Sequence, residues 1–215
     1  MRALPIALVA LALATGCGGN SDDTTAPAVS ESGECASVGK PDARQPGSNE
    51  APTAPLEAGK AYSLTFATNC GSFTVKLDTE LAPNTSASLV ALARDGYFDD
   101  TIFHRIVPGF VIQGGDPTQS GSGGPGYSTV DVPPADVGYT KGTVAMAKSG
   151  VEAPGTAGSQ FFVVTAESAG LPPEYAIVGE ITDGIDVVEL IGALGDAAEQ
   201  PTQPVVISSV TVTES

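Results

Sequence analysis

The chain has 215 residues, 41% of them hydrophobic and 16% charged, which is enough for one folded domain with accessory segments and too little for two full enzyme domains. Nine Lys+Arg stand against 25 Asp+Glu, a formal charge of −16, so the long-range field repels phosphate backbones and argues against nucleic-acid binding. One histidine and three cysteines would all be needed to make a single four-ligand zinc site, which argues against one, while 26 Gly and 17 Pro predict a turn-rich, mainly β domain.

Residues 1–16 read as an export signal: Met1 and Arg2 give a positive start, an apolar run follows from Leu4 to Ala14, and small residues precede Cys17. The run is far shorter than the roughly 20 residues needed to span a bilayer. Ala14-Thr15-Gly16-Cys17 resembles the lipobox of bacterial lipoproteins, which implies lipidation of Cys17 and a membrane tether on the extracytoplasmic face. The alternative is secretion with cleavage near Gly16. From Cys17 to Gly59 the composition is Asn, Ser, Asp, Thr, Pro, Ala and Glu without apolar periodicity, which predicts a flexible polar linker. Cys35 and Cys70 can pair in an oxidising compartment or stand as two free thiols.

The domain is expected over residues 60–215. Tyr62 to Ala67 and Phe73 to Asp78 alternate apolar and polar around a turn at Asn69-Cys70-Gly71, a β-hairpin pattern. Pro83 to Arg94 changes to helical period, with Gly96 as a C-terminal stop, and a second helix is readable from about Gly184 to Ala193. Short apolar runs at Ile106 to Gln113, Gly142 to Lys148, Gln160 to Thr165 and Ala176 to Ile181 predict buried strands, and Val205 to Thr213 predicts a last one. Seven or eight strands with two helices are compatible with a closed barrel, which leaves no exposed edge.

Gly121 to Gly126 fits G-x-G-x-x-G, but no helix follows it and Pro125 removes a donor, so it reads as a glycine-rich surface loop. His104 is the only histidine, and without a G-x-S-x-G elbow it reads as a packed, hydrogen-bonded residue. Asp99, Asp100 and Asp116 read as solvated loop charge. The informative stretch is Phe103-His104-Arg105-Ile106-Val107-Pro108-Gly109-Phe110-Val111-Ile112-Gln113-Gly114-Gly115-Asp116. It sets one arginine inside an apolar run, which needs acceptors to hold it, and Gln113 lies eight residues on. Met146-Ala147-Lys148 and Gly158-Ser159-Gln160-Phe161-Phe162 add a small apolar residue, an amide and aromatic rings, the makings of an apolar pocket with one fixed cation.

Through these motifs the sequence from about Ala61 to Glu214 resembles the cyclophilin family of peptidyl-prolyl isomerases. The resemblance implies a closed eight-stranded antiparallel β-barrel capped by two α-helices, no cofactor and no metal. It places the catalytic arginine at Arg105 and the glutamine that orients it at Gln113. The proline pocket falls on Phe110, Val111, Phe162 and Leu171, with Ala147 and Gln160 lining the groove for the preceding residue and the Lys148 backbone N–H facing the substrate carbonyl. Tyr175 stands where many eukaryotic members have histidine, and Gly170 where many members have tryptophan, which argues against cyclosporin binding. The implied substrates are proline-containing segments of unfolded or exported proteins, the simplest assembly is a monomer, and the alternative is a proline-segment binding chaperone or scaffold with little catalysis.

Overall fold

The computed structural model describes Met1 and residues 33–215. Residues 2–32, which carry most of the expected signal segment and Cys17, lie outside the described residues. Period-two burial builds the first hairpin: β1 (Tyr62–Thr68) and β2 (Gly71–Leu77) turn every second residue inward, and Phe66 stacks on its cross-strand partner Phe73 at 4.9 Å. Helix α1 (Pro83–Arg94) starts with proline at its first turn, where a missing N–H costs nothing, and buries Leu89, Val90, Leu92 and Ala93. Short strands follow: β3 (Thr101–Ile102), β4 (Arg105–Val107), β5 (Val111–Gly114), β6 (Thr129–Val130), β7 (Thr143–Met146), β8 (Thr156–Ala157) and β9 (Phe161–Val164). The chain ends with β10 (Ile177–Asp183), helix α2 (Ile185–Gly192) and β11 (Val206–Glu214).

Nine of these strands form one antiparallel sheet in the order β3-β11-β1-β2-β10-β7-β9-β5-β4, and β6 pairs with β8 separately. The sheet curls around a core in which Phe66, Phe98, Phe103 and Phe161 meet at centroid distances of 5.1 to 6.4 Å. The main fold is therefore β with two helices, as expected. The ladder differs from a closed eight-stranded barrel: it has nine strands, and β3 and β4 at its two ends are joined through Phe103 and His104 rather than paired. The run Ile106 to Gln113, expected as one strand, is the turn and arms of a hairpin. Pro108 cannot donate to a ladder, and the chain reverses there with Phe110 N–H bonded to Val107 O at 3.0 Å.

Residues 35–57 have no regular structure, yet they lie along the domain as a strap. Cys35 and Cys70 form a disulfide, and Ala36 and Asn69 exchange two hydrogen bonds of 2.7 Å. Further on, the N–H groups of Arg44, Gly47 and Asn49 each donate at 2.8 Å, to the carbonyls of Pro117, Gly124 and Pro125. The Arg44 guanidinium donates to Tyr97 O at 2.5 Å, and Leu56 packs against the main core. Composition alone predicts a spacer here; backbone hydrogen bonds, which composition does not encode, attach this part of it.

Candidate functional site

The β4–β5 hairpin places Arg105 directly opposite Gln113, so both side chains leave the same face of the sheet. The Arg105 guanidinium is held from two sides. Its Nη1 donates to Gln113 Oε1 at 3.4 Å, and its Nε donates to Glu199 Oε2 at 2.7 Å. Arg105 keeps 34% of its side chain exposed, so the group is fixed but still accessible. Glu199 reaches it from the loop before β11, where Ile106 N–H donates to Glu199 O at 3.0 Å and Asp196 closes the turn. That turn holds Glu199 at φ 63°, a left-handed conformation which the surrounding hydrogen bonds fix.

Gln113 is itself positioned. Its amide donates to Gln160 Oε1 at 3.1 Å, and Gln160 donates to Gly123 O at 2.9 Å. An unbroken polar chain thus runs from Arg105 through Gln113 and Gln160 to the glycine-rich loop. Beside it lies a small apolar cluster separate from the main core. Val111, Phe162 and Tyr139 are buried, and Phe110, Ala147, Leu171 and Tyr175 pack against them. The Tyr175 ring meets Phe162 edge-on at 5.6 Å and Tyr139 at 6.1 Å. Lys148 turns its side chain inward to 3% exposure, where it pairs with Glu174 at 3.0 Å and sits 5.5 Å over the Tyr175 ring. A cavity of about 780 Å³ opens where Gln113, Ala147, Lys148 and Gln160 face the loop from Gly121 to Ser128. The fold thus gathers Arg105, Gln113, Phe110, Val111, Ala147, Lys148, Gln160, Phe162, Leu171 and Tyr175 in one region.

Two of the sequence expectations change. Asp116 is not solvated charge: it is fully buried and organises the loop. Its Oδ1 accepts from Thr118 N–H and Oγ1 at 2.7 and 2.8 Å, and its Oδ2 accepts from the N–H groups of Ser120, Gly121 and Gly123 at 3.1, 2.7 and 3.1 Å. A Cβ on Gly123 would stand 2.1 Å from the carboxylate, so only glycine lets the backbone come this close. Burial pushes the Asp116 pKa up, but the combined hydrogen bonds from Thr118, Gly123 and Gly121 outweigh it and hold the group below its ordinary value. His104 is packed as expected, at 9% exposure, but neither ring nitrogen has a hydrogen-bond partner among the described residues. Burial, opposed by the Asp116 charge and reinforced by Arg105, lowers its pKa, so the ring is held neutral.

Comparison with known proteins decides what this site belongs to. The family profile described as cyclophilin type peptidyl-prolyl cis-trans isomerase/CLD matches residues 63–212. The chain belongs to the cyclophilin-type peptidyl-prolyl cis-trans isomerases. This cyclophilin is 38% identical over 169 residues to peptidyl-prolyl cis-trans isomerase A of Mycobacterium tuberculosis, covering 70% of this chain and 91% of the relative. It is 39% identical over 159 residues to peptidyl-prolyl cis-trans isomerase-like 1 of Aspergillus oryzae, covering 72% and 97%. A crystal structure of a Cryptosporidium parvum cyclophilin type peptidyl-prolyl cis-trans isomerase superposes with a TM-score of 0.65 at 31% identity, covering 71% of this chain and 98% of the other. The same protein in the presence of the dipeptide Ala-Pro gives 0.64 at 30% identity, covering 70% and 98%.

Three features of this cyclophilin's site are absent from the sequence reading. Glu199 is 94 residues from Arg105, and no local pattern links them. The Lys148 to Glu174 pair has the same character. The strap along the glycine-rich loop lies in a stretch whose composition signals only a spacer. Asp116, by contrast, had a readable signal: an acid followed by Thr118, Ser120 and glycines is a sequence able to turn its N–H groups onto a carboxylate.

Proposed function

We propose that the chain rotates X-Pro peptide bonds at the Arg105 site and does so on exported proteins, tethered to a membrane through lipid on Cys17. Membership of the isomerase family establishes the reaction, and the observation that carries its placement is the Arg105 guanidinium, fixed by Gln113 and Glu199 beside an apolar cluster. The relative crystallised in the presence of Ala-Pro supports a proline-containing peptide as substrate.

The reaction needs neither nucleophile nor metal. Amide resonance sets a rotation barrier of about 18–20 kcal/mol, and only groups that favour the twisted amide over both planar forms lower it. Twisting makes the prolyl nitrogen pyramidal and gives it a lone pair. Arg105 donates to that lone pair, Gln113 and Glu199 keep the guanidinium aimed, and Phe110, Val111, Phe162 and Leu171 grip the ring. Ala147 and Gln160 seat the preceding residue. The backbone N–H of Lys148 steadies the rotating carbonyl, while Glu174 holds the Lys148 side chain in an ion pair. One preorganised donor is worth about 2.7–4 kcal/mol of transition-state stabilisation.

The same reading covers the chain's organisation: signal segment 1–16, lipidated Cys17 with spacer to residue 59, isomerase domain 60–215, acting as a monomer on the extracytoplasmic face of a bacterial membrane in the folding of exported proteins. The signal-like start and the Cys35–Cys70 disulfide, a bond of oxidising compartments, support it. It also takes the curled sheet as a closed barrel, supported by the direct connection of its end strands through Phe103 and His104.

The test is protease-coupled cis-to-trans isomerisation of a proline tetrapeptide beside the variant Arg105→Ala, with circular dichroism verifying the fold. The expected result is catalysis in the wild type and a loss of about 10²–10³ in kcat/KM in the variant. Equal rates for the two folded proteins would move the chemistry away from Arg105. Fractionation of cells, with mass analysis of the mature N-terminus, tests the lipid on Cys17.

A further inference from the structure

The cavity beside the catalytic pair has a wall that the isomerase domain does not supply. Pro46, from the strap, lines it together with Ala147 and Gln160. The ring is exposed rather than buried in the domain, so its apolar surface faces whatever enters the cavity. Its position is fixed by its neighbours. Gly47 N–H and Asn49 N–H bond the carbonyls of Gly124 and Pro125, Arg44 is bonded by both its N–H and its guanidinium, and Gln119 Nε2 donates to Pro41 O at 2.9 Å. At Gly47 an added Cβ would meet Asn49 Oδ1 at 2.6 Å, Tyr97 Cε2 at 2.9 Å and Pro125 Cα at 3.0 Å, so the strap touches the loop with no space to spare. The loop it clamps presents Gly123 O to Gln160, the amide that holds Gln113.

From these contacts we infer that residues 41–49 are a built-in part of the peptide groove, and that Pro46 selects for apolar residues two or three positions upstream of the X-Pro bond. The inference rests on the isomerase reading for the direction in which a peptide lies: the residue before proline sits at Ala147 and Gln160, so the chain upstream of it runs through the cavity toward Pro46. Because the loop from Gly121 to Gly126 offers mostly backbone there, the Pro46 ring adds to Pro125, Tyr127 and Val151 as apolar surface that an upstream side chain can meet. A strapless domain would leave this end of the groove open to water.

The experiment uses the full chain and two fluorescein-labelled peptides sharing Ala-Pro-Phe, one preceded by Leu-Leu and the other by Gly-Gly. Dissociation constants come from fluorescence anisotropy, and isomerisation of the same two sequences is followed in parallel. Pro46→Gly removes the ring at an exposed site, and Gly47→Ala pushes the strap off the loop. Circular dichroism and a thiol count check that fold and disulfide survive. The wild type is expected to prefer the Leu-Leu peptide, and both variants to lose about fivefold of that preference, near 1 kcal/mol. A wild type with no preference, or a preference retained in both folded variants, overturns the role of Pro46. Absence of turnover with the binding preference intact would refute the isomerase reading and leave the strap's role standing.

Discussion

Replacing Asp116 by Asn tests whether one buried carboxylate holds the glycine-rich loop against the site. The aspartate accepts five hydrogen bonds, two at Oδ1 and three at Oδ2. An amide has one accepting oxygen. If that oxygen takes the place of Oδ2, the three N–H groups of Ser120, Gly121 and Gly123 stay bonded, and the Thr118 hydroxyl can rotate to accept from the new NH₂. Thr118 N–H then faces a donor, a buried unsatisfied group costing about 1–3 kcal/mol, and the bonds that remain lose their charge assistance. The opposite orientation strands three N–H groups and is worse. The loss of stability should therefore be about 2–4 kcal/mol. Urea unfolding reads it as a lower midpoint at unchanged slope. Because Gly123 O anchors Gln160, and Gln160 anchors Gln113, kcat/KM should fall as well, by about tenfold, equivalent to about 1.4 kcal/mol of transition-state stabilisation. A variant within about 0.5 kcal/mol of wild type would refute the assignment of the loop's order to this carboxylate, since that is the range of ordinary surface substitutions.

Three other outcomes are expected. Glu199→Ala removes the acceptor of Arg105 Nε and should lower kcat about three- to tenfold with little change in KM, read by progress curves at several substrate concentrations, because it loosens a group that acts in the twisted state. His104 is held neutral by burial between Asp116 and Arg105, so its folded pKa lies below the unfolded value of about 6.5. The unfolded chain takes up a proton that the native state refuses. Stability contributed by this group is therefore present above about pH 6.5 and falls below it by up to about 1.4 kcal/mol per pH unit, until the folded pKa is reached. In His104→Leu, urea midpoints between pH 6.5 and 5 should lose that slope, with Asp116 contributing only at more acid pH. Reducing the disulfide should cost about 3–4 kcal/mol, from the loop entropy of a 35-residue separation, and would appear as a reductant-dependent unfolding midpoint.

The legible parts of this molecule are those that local sequence determines. Alternation in Tyr62 to Thr68 and proline at the start of Pro83–Arg94 prescribe a strand and a helix before any tertiary contact exists. Arg105 and Gln113 were readable as a pair through the resemblance of the motif that carries both, whereas the turn at Pro108 that sets them opposite each other was not, because the run between them suggested one strand. Glu199 was not readable, because its role depends on a loop folding back 94 residues later. His104 was expected to have a hydrogen-bond partner on the general rule for buried polar groups, and none of the described residues supplies one. The strap shows the same limit in another form. Its residues have no periodicity, so nothing in their order marks a segment whose backbone is bonded to another loop.

The attachment of the strap also limits how far the proposed lipid anchor lets the enzyme work. A tether that ran loose to the first strand would extend from Cys17 to Ala61, 44 residues, or up to about 150 Å when taut. With Cys35 fastened to Cys70, only 18 residues separate Cys17 from the body of the domain, about 60–65 Å at most. On that proposal clients are met close to the bilayer, and because the backbone bonds of Ala36, Arg44, Gly47 and Asn49 also hold the strap, cutting the disulfide alone does not release the full length to Ala61.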